Sequence, residues 1–353
     1  MTASRRSERG IVLPLVLIIG LLLSAAIVTF VRQSVVDKMM VDNRDRGAAA
    51  AALARGGVQI ATAVLFEDRL QKIVARRDGE PAGSSLEDLW ARLAQSPLET
   101  DWGGRLVVRV EDAGARLNLN ALVPMSLNEE EAEPTEEAEE FLVDFFERIL
   151  QPATYPADQG RDPRELARNL LDYIDPDDVA IGGRNEDDYY LQQDPPYTAA
   201  NRPLLSVDEV AMIEGFDMDL AERMRPYVTV HPLVSEAGIN VNTAPPHVLG
   251  LIYYGSSGNM RLADEGLVGD ILDERNEGRL VCTETEQAPG QCVSLSEVGL
   301  GEGAVYPPAD WPADATVFTV VSEATVQDVV HAIEATIDLS NGQQPRLLSW
   351  RAL

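Results

Sequence analysis

Positive charge is scarce in this chain. Only 29 lysines and arginines stand against 58 aspartates and glutamates in 353 residues, a formal net charge of -29. Such a field repels phosphate backbones and anionic lipid, which excludes nucleic acid as a partner. Cysteine and histidine are rarer still: Cys282 and Cys292, with His231, His247 and His331. Two sulfurs need two more ligands to hold zinc, so no zinc site is expected. A nucleophile elbow, a zinc-protease helix, a phosphate loop and a dinucleotide fingerprint are all missing, and Gly299-Leu300-Gly301-Glu302-Gly303 does not lie between a strand and a helix. Paired acids such as Asp187 and Asp188 could serve a hydrolase, but acids are abundant here by composition alone. Catalysis therefore finds little support, and an anchored periplasmic hydrolase or binding protein is the competing class.

Charge is absent altogether between Gly10 and Val31, where Ile11-Val12-Leu13-Pro14-Leu15-Val16-Leu17-Ile18-Ile19-Gly20 follows directly on Arg5, Arg6 and Arg9. At about 1.5 Å per residue the run spans the roughly 30 Å of bilayer hydrocarbon, and the arginines mark its cytoplasmic end. The bulk of the chain is then expected in the periplasm. Beyond Arg32 the sequence continues through Val35, Val36, Met39, Met40, Ala48 to Ala52, Leu53, Val58, Ala61 and Leu65 with few breakers, which predicts one long helix leaving the membrane. Gly47 and the pair Gly56-Gly57 are soft spots in it.

A basic leader ending in glycine, an apolar half and an amphipathic half together resemble the N-terminus of type IV pilins and pseudopilins. That likeness implies cleavage by a prepilin peptidase between Gly10 and Ile11. It also implies a glutamate at the fifth residue after the cut in subunits that build a filament shaft, and here that position is Leu15. A carboxylate in hydrocarbon is costly unless paired, so a chain without it needs no subunit ahead of it. An ordinary signal-anchor helix carrying a soluble domain is the alternative reading of this segment alone.

Two to three folded units are expected behind the anchor. In an oxidising periplasm Cys282 and Cys292 would close a small loop by a disulfide; two unrelated free thiols are the alternative. Pro81 to Ser85 predicts a turn and Leu86 to Leu93 a short helix. Arg105 to Asp112 and Ala115 to Asn120 read as a half-buried hairpin, and Thr316 to Ala324 with Val326 to Asp338 as two more strands. A sheet split by roughly two hundred residues implies an insertion. That part is largely helical, with helices predicted at Glu136 to Leu150, Arg164 to Tyr173, Val207 to Ile213, Met218 to Met224 and Pro246 to Tyr253. The run Glu129 to Glu140 reads as a solvated face. Leu117-Asn118-Leu119-Asn120-Ala121 is echoed by Ile239-Asn240-Val241-Asn242-Thr243-Ala244, where asparagine side chains can bond the backbone that starts the next helix.

Hard oxygens cluster at Asp172, Asp175, Asp177, Asp178, Glu186, Asp187 and Asp188 around Gly182-Gly183, which suits calcium's six to eight oxygen ligands at about 2.3 to 2.6 Å. The loop is not an EF-hand: with Asp175 first, Asp177 and Glu186 fall third and twelfth, but Val179 and Ala180 occupy the fifth and sixth positions. A solvated acidic loop with helix caps is the alternative. Ser206 to Met224, around Glu214-Gly215-Phe216, and Asn242 to Tyr254 look like helix-hairpin-helix or SAM-like units. Their acids Glu214, Asp217 and Asp219 have the wrong sign for phosphate, so a structural or protein-binding hairpin is expected. Tyr189, Tyr190 and Tyr197 beside Pro195-Pro196 read as a satellite core.

Leu170 to Asp178, Asn185 to Tyr190, Pro195-Pro196-Tyr197, Asn201-Arg202-Pro203-Leu204, Ser206 to Glu209 and Ile239 to Pro246, in that order, resemble the minor pseudopilin K family of type II secretion. The likeness runs from Arg9 to about Asp338. It implies an α+β, type IV pilin-like fold, a long N-terminal helix plus a small antiparallel sheet, with a large inserted helical domain. It also implies a place at the pseudopilus tip with minor pseudopilins I and J, no enzymatic activity, and structural calcium in the helical domain, with Asp175, Asp177, Asp178, Glu186, Asp187 and Asp188 as candidate ligands. The divisions expected are a leader at 1–10, an inner-membrane helix at 11–31, pilin-like helix and first strands at 32–120, the acidic helical insertion at 121–238, a second helical unit with the Cys loop at 239–310, and closing strands at 311–353.

Overall fold

The computed structural model describes residues 12–79, 82–123, 134–150, 155–233, 238–256, 259–283, 290–301, 304–308, 311, 313–342 and 344–353. Gly10, Ile11, the leader and Glu129 to Glu133 lie outside these residues. Helix α1 (Val12–Arg77) runs for 66 residues without a break. Its lower part is apolar and bare, with Leu15 53% exposed, and it is long and apolar enough to cross a membrane. Higher up, Ala50, Ala54, Val58, Ala61 and Leu65 recur at helical spacing and are buried against a sheet. Gly56 and Gly57, read as a soft spot, have different surroundings. A Cβ at Gly56 would meet open space, whereas one at Gly57 would stand 2.1 Å from Ser322 Oγ and 2.9 Å from Leu106. Gly57 is where helix and sheet touch, and Ser322 Oγ donates to the Ala54 carbonyl there at 2.8 Å.

Helix α2 (Leu89–Arg92) sets Trp90 edge-on to Phe318, ring centres 5.2 Å apart. Lys72 fastens this segment to α1 by donating to Asp68, Asp88 and Ser84 at 2.6, 2.6 and 3.0 Å. Strands β1 (Leu98–Glu99) and β2 (Gly104–Asp112) follow, β2 alternating with Leu106, Val108 and Val110 inward. The hairpin expected next does not form. Asp112 Oδ1 accepts the Gly114 N–H at 2.8 Å and turns the chain out of the sheet. Leu117 to Asn120 are buried throughout rather than alternating, and β3 (Leu117–Asn118) pairs in parallel with β4 (Val228–Thr229).

Helix α3 (Glu136–Ile149) is capped by Thr135, carries acids in its first turn where the helix dipole favours them, and buries Phe141, Leu142, Phe145 and Phe146. Helix α4 (Pro163–Ile174) packs across it. Short helices α5 (Asp187–Tyr190) and α6 (Met218–Met224) come after. Val207–Met212 is a 3-10 turn rather than the α-helix expected. Helix α7 (Pro246–Leu249) stops early, because Tyr253 and Tyr254 enter strand β5 (Tyr253–Ser256), which pairs with β6 (Asn259–Leu262). The second helical hairpin expected at Asn242 to Tyr254 is thus one turn of helix and a strand. Helix α8 (Glu265–Asn276), capped by Asp264, was not anticipated. Strands β7 (Leu280–Cys282) and β8 (Cys292–Ser294) pair in parallel, joined by a Cys282–Cys292 disulfide, and β9 (Ala304–Tyr306) pairs with β5.

The asparagine echo is structural. Asn118 and Asn240 each accept, at 3.1 Å, the N–H of the asparagine two residues on. That second asparagine then grips a distant backbone in both senses: Asn120 holds Leu204, and Asn242 holds Val281. One hydrophobic core extends from Leu117 to Trp311 and contains residues from either side of position 238.

The chain returns to the first sheet in β10 (Val317–Val326), which pairs antiparallel with β2, then β11 (Val329–Asp338) and β12 (Arg346–Ala352), giving the order β1-β2-β10-β11-β12. Residues 113–316 therefore leave and re-enter one sheet. Strand β12 was also not anticipated; every residue in it is exposed, so it carries no burial alternation.

Candidate metal centre

Helix α4 begins with Asp162 accepting the Arg164 N–H and Pro163 at its first position. Its buried face is Leu166, Ala167, Leu170, Leu171 and Ile174, and one acid, Asp172, is buried with them in the last turn. Asp175 ends the helix. A small bend then doubles the chain back: Asp177 Oδ1 accepts the Val179 N–H at 2.6 Å, Gly182 and Gly183 take φ of +137° and +79°, and Val179 bridges Asn185. The positive angles explain both glycines, since a side chain is strained there. The bend delivers Glu186 beneath the end of α4.

Asp172, Asp175 and Glu186 each turn a carboxylate oxygen to a common point, all within 4.8 Å of one another, and they are only 6, 2 and 4% exposed. Asp172 Oδ1 accepts the Ile181 N–H at 2.9 Å. Both Glu186 oxygens are sealed from solvent with no hydrogen-bond donor among the described residues. Burial, then the negative charge of Asp175 and Asp172, pushes the Glu186 carboxyl up to about 9. Asp172 is raised to about 6, mainly by burial, with the Ile181 bond pulling the other way. Unpaired buried charges cost several kcal/mol each as an order of magnitude, so three buried carboxylates converging on one point, with Glu186 given no donor among the described residues, fit a hard cation.

Of the six residues predicted as ligands, Asp175 and Glu186 meet here. Asp177 is spent on the bend, Asp178 Oδ1 accepts from Asn201 Nδ2 at 3.0 Å, Asp187 Oδ1 accepts the Ala199 N–H at 2.9 Å, and Asp188 faces solvent. Asp172 takes the third position. It lies three residues before Asp175, on the same side of the helix, and the signal was an acid amid the apolar face. The tyrosines do not form a satellite core but join the main one, Tyr190 meeting Tyr173, Tyr189 and Tyr197 with ring centres 5.3 to 5.5 Å apart.

A cleft of about 900 Å³ opens elsewhere, between the 83–90 segment and the helical unit. Its acids are already engaged: Asp112 by three donors, Asp88 by Lys72, Glu111 by Arg116 and Glu87 by Arg92.

Compared with known proteins, residues 115–233 match the family described as type II secretion system (T2SS), protein K. The chain is 28% identical to type II secretion system protein K of Pseudomonas aeruginosa, over 98% of this chain and 93% of that one. It is 33% identical to the putative type II secretion system protein K of Escherichia coli strain K12, over 45% of each. In fold it is similar to a chain in the crystal structure of the GspK-GspI-GspJ complex of enterotoxigenic Escherichia coli, with a TM-score of 0.59, 19% identity, and coverage of 89% of this chain and 99% of that one. A long bare helix, a sheet interrupted by a helical unit and these likenesses agree: the chain is similar to type II secretion system protein K along its length, and its residues 115–233 match that family.

Proposed function

We propose that this protein is a non-enzymatic minor pseudopilin that caps the tip of the type II secretion pseudopilus and limits its growth. The observation that carries this reading is the join of a 66-residue helix, apolar and acid-free at its lower end, to a sheet whose β2 and β10 are held apart in sequence by a large folded unit. The helix anchors the chain in the inner membrane, with the bulk periplasmic, after a prepilin peptidase has cut between Gly10 and Ile11. Leu15 offers no carboxylate to the amine of an incoming subunit, while apolar packing from below remains available. The helical unit, carrying a SAM-like pair at Ser206 to Met224, is the head that denies space above. Minor pseudopilins I and J are the partners, a reading supported by the solved complex of the relative. Calcium is the cation suited to Asp172, Asp175 and Glu186, and its work there is structural: it would neutralise the buried acids and hold the bend against α4.

The hydrolase alternative needs two uncommitted carboxyls in a deep pocket. The acids of the large cleft are bonded within the fold, which favours the scaffold. Co-expression of the full chain with I and J in detergent tests the proposal; a stable ternary complex is expected. Leu15→Glu should leave the melting temperature unchanged and disturb tip assembly. Failure to co-purify, together with unchanged secretion by Leu15→Glu, overturns it.

A further inference from the structure

The bend that carries Glu186 is tied at its tip to another part of the helical unit. Arg184 Nη2 donates to Glu214 Oε2 at 2.5 Å and to Asn169 Oδ1 at 3.2 Å. Asn169, on α4 one turn before Asp172, donates through Nδ2 to the Glu214 carbonyl at 3.0 Å. Glu214 lies in the turn Ile213–Phe216, where Gly215 takes φ of +85° and an added Cβ would stand 3.0 Å from Leu166. Tyr197 adds a second tie, its hydroxyl donating to the Met212 carbonyl at 2.7 Å. Arg184 also feels the charge of Asp172. The bend that ends in Glu186 is thus pinned through one guanidinium to Glu214 on one side and, through Asn169, to the helix that carries Asp172 on the other.

We infer that Arg184 and Glu214 form a latch coupling cation occupancy at Asp172, Asp175 and Glu186 to the turn at Glu214. The inference rests on the cation reading above. A divalent ion that takes Glu186 fixes the bend two residues beyond Arg184, holds the guanidinium where Glu214 and Asn169 accept it, and so tightens the turn. Linkage requires the converse by the same factor: Glu214, by holding Arg184, fixes the bend that delivers Glu186 to the ion. Glu214 is then a positioning residue for a site it does not touch. Both side chains are partly exposed, at 48% for Arg184 and 28% for Glu214, so replacing either should leave the fold intact.

The test uses the full-length chain in detergent, titrated with calcium chloride by calorimetry, with amide hydrogen exchange read at Ile213–Phe216. Glu214→Gln should weaken calcium binding about fivefold. In an Arg184→Met background the same substitution should have no effect, and calcium should slow exchange at the turn in the wild type but not in Arg184→Met. Equal calcium affinity in wild type and Glu214→Gln, or an equal loss in both backgrounds, overturns the latch. If the wild type binds calcium, Glu186→Gln does not, and Glu214→Gln matches the wild type, the site stands and the latch alone falls. If the wild type binds no calcium, both fall together.

Discussion

Asp112 and Glu186 are both 4% exposed, yet their surroundings are opposite. Asp112 Oδ1 takes the Gly114 N–H at 2.8 Å, while Oδ2 takes Asn240 Nδ2 at 2.8 Å and Thr243 Oγ1 at 2.7 Å. Glu186 has no donor at either oxygen among the described residues, and the charges that act on it are those of other acids. Burial raises both carboxyls above their ordinary range, but at Asp112 the bonds from Thr243, Asn240 and Gly114 offset part of that rise. A buried acid supplied with donors is a joint, here fixing the point where the chain leaves the sheet. A buried acid supplied with more acids is one part of the site proposed for a cation.

The contrast can be broken or sharpened in four ways. Asp112→Ala would strand three donors in the joint, and unfolding free energy should fall by about 3 kcal/mol, read from thermal or urea melts. Calcium at a hundred times its dissociation constant should stabilise the wild type by about 2.7 kcal/mol, and Glu186→Gln should abolish the rise in melting temperature. Thr243→Val removes one of the three donors to Asp112 and should cost about 1 kcal/mol, a third of the loss from removing the acid. The smallest effect has the opposite sign: in chelator, Glu186→Gln should raise stability by about 0.5 kcal/mol, because an amide needs no counter-charge. A fall instead would mean Glu186 has donors of its own, and the two carboxyls would no longer differ.

Much of the architecture could be read before any coordinates, and the reasons differ by element. The long helix is legible because its period and lack of breakers are local properties, and β10 and β11 because β-branched residues dominate them. Ala115 to Asn120 misled because alternation of types does not reveal burial on both sides. Helix α8 escaped notice because Gly266, Gly269 and a polar run dilute its apolar spacing. The asparagine echo was visible as a repeat, but the grips of Asn120 on Leu204 and Asn242 on Val281 span 84 and 39 residues and leave no local trace. For the metal centre, Asp172 was visible in the acidic cluster but left out of the candidate ligands, which began at Asp175, although α4 buries it with its apolar face. Asp177 and Asp187 look equally suitable in sequence; only the fold reveals that backbone amides claim them first.

The pairing of β2 with β10 sets an order of events during synthesis. The second strand is in place early, but its partner is made some two hundred residues later, so the central ladder stays open while the intervening polypeptide is produced. Compaction of that intervening unit brings the two ends within reach and shortens the closure that remains. The sheet that packs against α1 is thus finished last, by the final strands to emerge, and a nascent chain that stalls before Val317 would carry the long helix and the helical unit with no completed sheet between them.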